Sequence, residues 1–126
     1  KPPRILVVDD SITTRTLEKQ ILEHMGYNVA TAVNGREALE LARKAATSAP
    51  FDLLISDMMM PIMNGLQLTE AIRADPLLEH LPVVLVTSMS SPADRQRGME
   101  VGADAYVVKS EFDQEQLIAT IRRLIG

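Results

Sequence analysis

Ile5-Leu6-Val7-Val8-Asp9-Asp10 is apolar for four residues, three of them β-branched, and then breaks onto two adjacent acids. A strand wet on one face alternates apolar and polar residues, whereas one covered on both faces is apolar throughout. The pattern recurs along the chain. Val29-Ala30-Thr31-Ala32 follows Gly26, and Leu53-Leu54-Ile55-Ser56 ends on Asp57. Val83-Val84-Leu85-Val86 ends on Thr87-Ser88, and Ala105-Tyr106-Val107-Val108 ends on Lys109.

Between these runs the apolar residues take a helical period. Leu17, Ile21, Leu22 and Met25 give one stripe, stopped by Gly26. Ala38, Leu41, Ala42 and Ala45 give a second, with Asn34 as its N-cap. Leu66, Thr69, Ile72 and Arg73 sit on a third helix, ended by Asp75-Pro76. Ser91-Pro92 opens a short fourth helix that Gly102 closes. Leu117, Ile118, Ile121, Leu124 and Ile125 form a fifth, opened by Asp113. The order βαβαβαβαβα predicts an α/β fold: a doubly wound five-stranded parallel sheet with helices on both faces and right-handed crossovers, in one domain over residues 1–126.

Composition narrows the classes of function. The absence of Cys removes disulfides, thiol catalysis and Cys-based zinc or iron–sulfur sites. It also lets the fold do without an oxidising compartment, so a cytoplasmic setting is expected. No uncharged apolar run approaches the ~20 residues of a membrane span, and no signal-peptide pattern opens the chain. Thirteen Lys and Arg against seventeen Asp and Glu give a net charge of −4, which argues against broad nucleic-acid binding by this domain. The chain does not start with Met, consistent with a segment of a longer protein.

In an open α/β sheet, ligands bind beyond the carboxyl ends of the strands. Those ends carry Asp9, Asp10, Asp57, Thr87, Ser88 and Lys109. Singly, each has an ordinary reading as a helix cap, turn residue, strand-end hydroxyl or solvated ammonium; together on one rim they make a site. Two carboxylates ~4 Å apart at an effective dielectric of ~20 repel by about 4 kcal/mol, and a single lysine does not balance three. A hard divalent cation with oxygen ligands, Mg2+, is the natural addition. A metal, an ammonium and a hydroxyl around a carboxylate nucleophile constitute a phosphoryl-transfer site.

Other features read as structure. Met58, Met59, Met60 and Met63 look like a soft-metal cluster, but no Cys or His lies beside them, and Met serves mainly as apolar filler. His24 and His80 read as surface residues, and Arg95-Gln96-Arg97 and Arg122-Arg123 as solvated helix faces.

The motifs Val7-Val8-Asp9-Asp10-Ser11, Ser56-Asp57-Met58-Met59-Met60-Pro61-Ile62-Met63-Asn64-Gly65, Val86-Thr87-Ser88, Gly102-Ala103-Asp104-Ala105-Tyr106 and Val108-Lys109 resemble the receiver domain of two-component response regulators, over essentially the whole chain. The resemblance implies a flavodoxin-like, CheY-like three-layer sandwich with strand order 2-1-3-4-5. It implies that Asp57 is the phosphoacceptor, and that Asp9 and Asp10 hold Mg2+ with Asp57 and the backbone carbonyl of Met59. It further implies that Lys109 pairs with the phosphoryl oxygens, that Thr87 is the switch hydroxyl and that Tyr106 is the switch aromatic. The implied partners are a histidine kinase or histidine-phosphotransfer domain, and an output partner on the fourth helix, fifth strand and fifth helix.

Two departures from the family pattern stand out. Ser110 follows Lys109 where the family usually has a cis proline, and a cis bond before a non-proline residue costs ~3 kcal/mol. Met59 and Met89 stand two residues past Asp57 and Thr87, positions that influence loss of the phosphoryl group in the family. Two apolar side chains there predict a long-lived phosphorylated form. The Asp-Asp-Ser-x-Thr-Thr-Arg opening and Lys109-Ser110-Glu111-Phe112-Asp113-Gln114 look most like receivers fused to CheA-type chemotaxis histidine kinases.

Three rival functions are weaker. An aspartate-nucleophile phosphatase would carry Asp-x-Asp-x-[Thr/Val] after the first strand, which Asp9-Asp10-Ser11-Ile12-Thr13 does not match. A flavin carrier would need a phosphate loop where Asp9 and Asp10 stand, and more aromatics than Tyr27, Tyr106, Phe51 and Phe112. A docking receiver that takes no phosphate would not need a complete set of site residues.

Overall fold

A computed structural model describes residues 2–109 and 114–126. Five strands alternate with five helices: β1 (Arg4–Val8), α1 (Ile12–His24), β2 (Asn28–Ala32), α2 (Gly35–Ala45), β3 (Leu53–Asp57), α3 (Gly65–Ala74), β4 (Val83–Thr87), α4 (Pro92–Glu100), β5 (Ala105–Val108) and α5 (Gln114–Ile125). All strand pairs are parallel, in the order β2-β1-β3-β4-β5. This is the doubly wound sheet expected from the sequence.

The apolar runs are explained by two separate cores. Successive strand side chains point to opposite faces. Ile5 and Val7 pack with Leu53, Ile55, Leu22, Leu117 and Ile121 beneath α1 and α5. Leu6 and Val8 pack with Leu54, Leu85, Ala38, Leu68 and Ile72 beneath α2 and α3. Burying each such side chain contributes about 1.5–3 kcal/mol, so the strand ends are anchored from both sides.

Caps fix the helix starts. Asn34 accepts from the Glu37 N–H at 2.9 Å, and Ser91 accepts from the Asp94 N–H at 3.1 Å ahead of Pro92. Asn64 and Gln67 exchange side-chain and backbone bonds in a capping box. Gly26 and Gly102 end α1 and α4 at φ +95° and +104°, which a side chain would strain. No helix among the described residues is long and apolar enough to cross a membrane.

Two stripes differ from the sequence reading. On α1, Leu17 is 51% exposed, and the acidic Glu18 is buried in its place with Leu22. Leu17 lies about 100° around the helix from Glu18, off the buried face. On α3, Leu68 rather than Leu66 is fully buried. Arg73 bonds the carbonyls of Gly102 (2.9 Å) and Leu81 (2.7 Å) and the Asp104 carboxylate (2.8 Å). The Lys109–Ser110 bond, the segment through Phe112 and the cap assigned to Asp113 lie outside the described residues.

Candidate functional site

Register brings the strand ends together. Val8 pairs with Ser56 and Asp57 with Val86, so the residues ending β1, β3 and β4 stand side by side. Asp9 is 1% exposed; its Oδ1 accepts from the Ser11 N–H at 2.8 Å, and its carbonyl accepts from Arg15 at 2.8 Å. Asp57 is 9% exposed, and its Oδ1 accepts from the Met58 N–H at 2.8 Å. Asp10 is exposed. One carboxylate oxygen from each of Asp9, Asp10 and Asp57 lies within 4.8 Å of the others. The Lys109 ammonium spans the group, 3.5 Å from Asp9 Oδ2 and 3.6 Å from Asp57 Oδ1.

The electrostatics match an under-neutralised anion cluster. Burial raises the Asp57 carboxyl above its ordinary value, and Asp9 and Asp10 add to this. Lys109 and the Met58 N–H pull it down. Three acidic oxygens this close, with one shared ammonium, suit a hard oxygen-ligated divalent ion, and the donor set contains no soft atom. Asp9, Asp10 and Asp57 could therefore hold Mg2+. Met59 places its side chain outward, 61% exposed.

The loop after Asp57 is tightly held. Gly65 donates to the Met58 carbonyl at 2.9 Å, and a Cβ on Gly65 would stand 2.9 Å from Met58 Cα and overlap the Asp57 carbonyl. Ile62 in this loop adopts φ 71° with its side chain 68% exposed. A β-branched residue there stores on the order of 1–3 kcal/mol of strain.

Thr87 and Tyr106 are both buried and meet through one residue. The Thr87 hydroxyl oxygen accepts from the Met89 N–H at 3.2 Å, and the Tyr106 hydroxyl donates to the Met89 carbonyl at 2.7 Å. The Tyr106 ring fills the space left by Gly98, whose Cβ would lie 2.8 Å from the ring. The Arg95 guanidinium sits 5.2 Å from the ring centroid and bonds the Tyr106 carbonyl at 3.4 Å, so Arg95 is more than a solvated helix charge.

Glu18 is the site residue that the sequence reading missed. It is 4% exposed, and its carboxyl is pushed up to about 8 by burial and by Asp9, with Asp57 adding and Lys109 opposing. A charged residue in phase with Leu22 was the available signal. A surface hollow of about 580 Å³, lined in part by Pro2, Arg4, Pro50 and Asp52, lies at the opposite end of the strands. Chemistry rather than volume identifies the site. Of the remaining candidates, His24 and His80 are exposed, and Met58 is buried, with its sulfur 3.5 Å from the Tyr106 hydroxyl.

The chain shares its fold with known proteins. Residues 5–122 match the family model described as the response regulator receiver domain. The chain is similar to the Vibrio cholerae chemotaxis response regulator CheY4, at 39% identity and TM-score 0.88 over 98% of this chain and 99% of that one. It is also similar to the receiver domain of the Pseudomonas aeruginosa sensor histidine kinase PA1611, solved with magnesium in its active-site cleft. There the identity is 25% and the TM-score 0.86, over 100% of this chain and 99% of the other. The Myxococcus xanthus gliding motility regulatory protein is 36% identical over 96% of this chain but only 15% of its own length. The Escherichia coli transcriptional regulatory protein CpxR is 38% identical over 97% of this chain and 49% of its own length. The chain thus spans about half or less of these two relatives. With the family model covering nearly its whole length, the chain belongs to the response regulator receiver domains.

Proposed function

We propose that this receiver is a phosphoacceptor switch whose modified group is Asp57. The observation that carries the reading is the group of three carboxylate oxygens within 4.8 Å of one another, spanned by Lys109. Asp9, Asp10, Asp57 and the Met59 carbonyl would hold Mg2+, which when bound supplies positive charge opposite the transferring phosphoryl oxygens.

Asp57 Oδ1 is engaged by the Met58 N–H and Lys109, which leaves the other carboxylate oxygen as nucleophile. That oxygen forms a bond to phosphorus as the P–N bond to a donor phosphohistidine breaks. The imidazole leaves with the electron pair and is protonated. Lys109 then pairs with the phosphoryl oxygens and Thr87 supplies a hydroxyl to them. Thr87 gives up its bond from Met89, the residue that also holds Tyr106. A partner on α4, β5 and α5 responds to the difference between the two states.

The wider reading follows the relatives. The donor is a histidine kinase or histidine-phosphotransfer domain, and the setting is chemotaxis-type signalling, as for the Vibrio cholerae relative. The chain is one receiver over residues 1–126 within a longer cytoplasmic protein, a hybrid histidine kinase by its sequence resemblance. It catalyses its own phosphorylation and slow dephosphorylation and no other turnover, and neither nucleic acid nor membrane is its partner. Phosphate release from excess phosphodonor tests this. One equivalent or slow release supports the switch, rapid multiple turnover supports a phosphatase, and no uptake supports a docking module.

A further inference from the structure

We propose that Met58 is a positioning residue that carries the charge state of Asp57 to Tyr106 by a route separate from Thr87. The inference rests on Asp57 being the modified group, as proposed above. Met58 touches both ends. Its N–H donates to Asp57 Oδ1 at 2.8 Å, and its Sδ lies 3.5 Å from the Tyr106 hydroxyl. Its side chain is 2% exposed, so it has no solvent to move into.

The phenol has one proton, and the Met89 carbonyl at 2.7 Å takes it. The Met58 sulfur is then a polarisable wall of the tyrosine seat rather than a second full acceptor. Gly98 and Leu85 line the rest of the space: a Cβ on Gly98 would stand 2.8 Å from the ring and 3.2 Å from Leu85. Inward Tyr106 therefore depends on where Met58 sits.

Met58 in turn depends on Asp57. Phosphorylation of the other carboxylate oxygen turns Oδ1 from a charged acceptor into a neutral carbonyl. A charge-assisted hydrogen bond is roughly twice as strong as a neutral one, so the Met58 N–H loses much of its hold. Gly65 pins the far side through the Met58 carbonyl at 2.9 Å, so the freed peptide shifts within a close-packed wall. Two paths then converge on Tyr106: Asp57 to Met58, and Thr87 to Met89.

The test uses the intact domain with labelled methionine methyls and tyrosine rings, followed by NMR. Asp57→Asn removes the carboxylate charge without phosphorylation. It is expected to move the Met58 methyl and Tyr106 ring signals, and the Tyr106 response should persist in Thr87→Ala. In Met58→Leu, which keeps the N–H and nearly the volume, the Tyr106 response to Asp57→Asn should fall by half or more. A Tyr106 response of full size in Met58→Leu, or an unmoved Met58 methyl in Asp57→Asn, overturns the proposal. The methyl signal decides even where Met58→Leu fails to fold. A parallel sample with Mg2+ and acetyl phosphate is weighed for phosphoryl uptake. Absent uptake counts against the proposed function and leaves the Asp57→Asn comparison standing.

Discussion

The Lys109 ammonium stands between two buried carboxylates, 3.6 Å from Asp57 Oδ1 and 3.5 Å from Asp9 Oδ2, an ion-pair distance to each. One cation thus serves two buried carboxylates and lowers the carboxyls of both Asp57 and Glu18. Lys109→Gln should therefore raise both further above their ordinary values. Carbon-detected NMR of the carboxyl groups without divalent cation reads this directly. Unchanged titration of both groups would show that Lys109 is not coupled to them.

Glu18 makes stability depend on pH with a defined sign. Folded Glu18 keeps its proton up to about pH 8, whereas its ordinary value is 4.5. The folded state binds more protons across that window, so stability is lost as pH rises from 4.5 towards 8. Glu18→Gln keeps the shape and removes the charge. It should stabilise the domain by roughly 1–3 kcal/mol in mildly alkaline buffer and have little effect near pH 5. Urea midpoints at the two pH values check this, and equal effects at both would contradict the burial argument.

Gly98→Ala sets helix propensity against packing. Alanine favours the α4 backbone by roughly 1 kcal/mol. Its Cβ would stand 2.8 Å from Tyr106 Cδ2, so the ring must move and strain or lose its bond to Met89. Overpacking costs about 1–3 kcal/mol, so a net loss of roughly 1 kcal/mol is expected, together with a more exposed Tyr106. Chemical denaturation and quenching of tyrosine fluorescence measure the two effects.

The fold was legible because β1, β3, β4 and β5 are buried almost throughout and announce themselves as apolar runs, whereas β2 at the sheet edge leaves Asn28 exposed and Ala30 and Thr31 half-buried. The rim was legible because Asp9, Asp10, Asp57 and Lys109 each follow such a run. Glu18 was hidden because hydrophobic periodicity counts an acid as surface, so the stripe was drawn through Leu17. The bridge from Thr87 to Tyr106 through Met89, and the Met58 contact, were not legible: both depend on backbone groups and on space left by Gly98. The sequence places Arg73 on the third helix, and its guanidinium bonds carbonyls from two loops. Those bonds follow tertiary position, which no local pattern encodes.

Phosphoryl lifetime follows from Met59, whose exposed side chain has no group to orient water. We expect a half-life well beyond a few seconds with Mg2+ present. Met59→Asn adds a polar amide at that position and should shorten it several-fold. Decay of the phosphorylated species by Phos-tag electrophoresis gives both values, and a wild-type half-life of a few seconds would refute the idea.

The central claim is that the carboxylate rim, with Mg2+, lets Asp57 accept a phosphoryl group. Intact-mass measurement after incubation with acetyl phosphate tests it most directly. Wild type should gain one phosphoryl mass in Mg2+, gain none in EDTA, and gain none in Asp57→Asn. Equal uptake in the variant, or uptake indifferent to EDTA, would contradict the account.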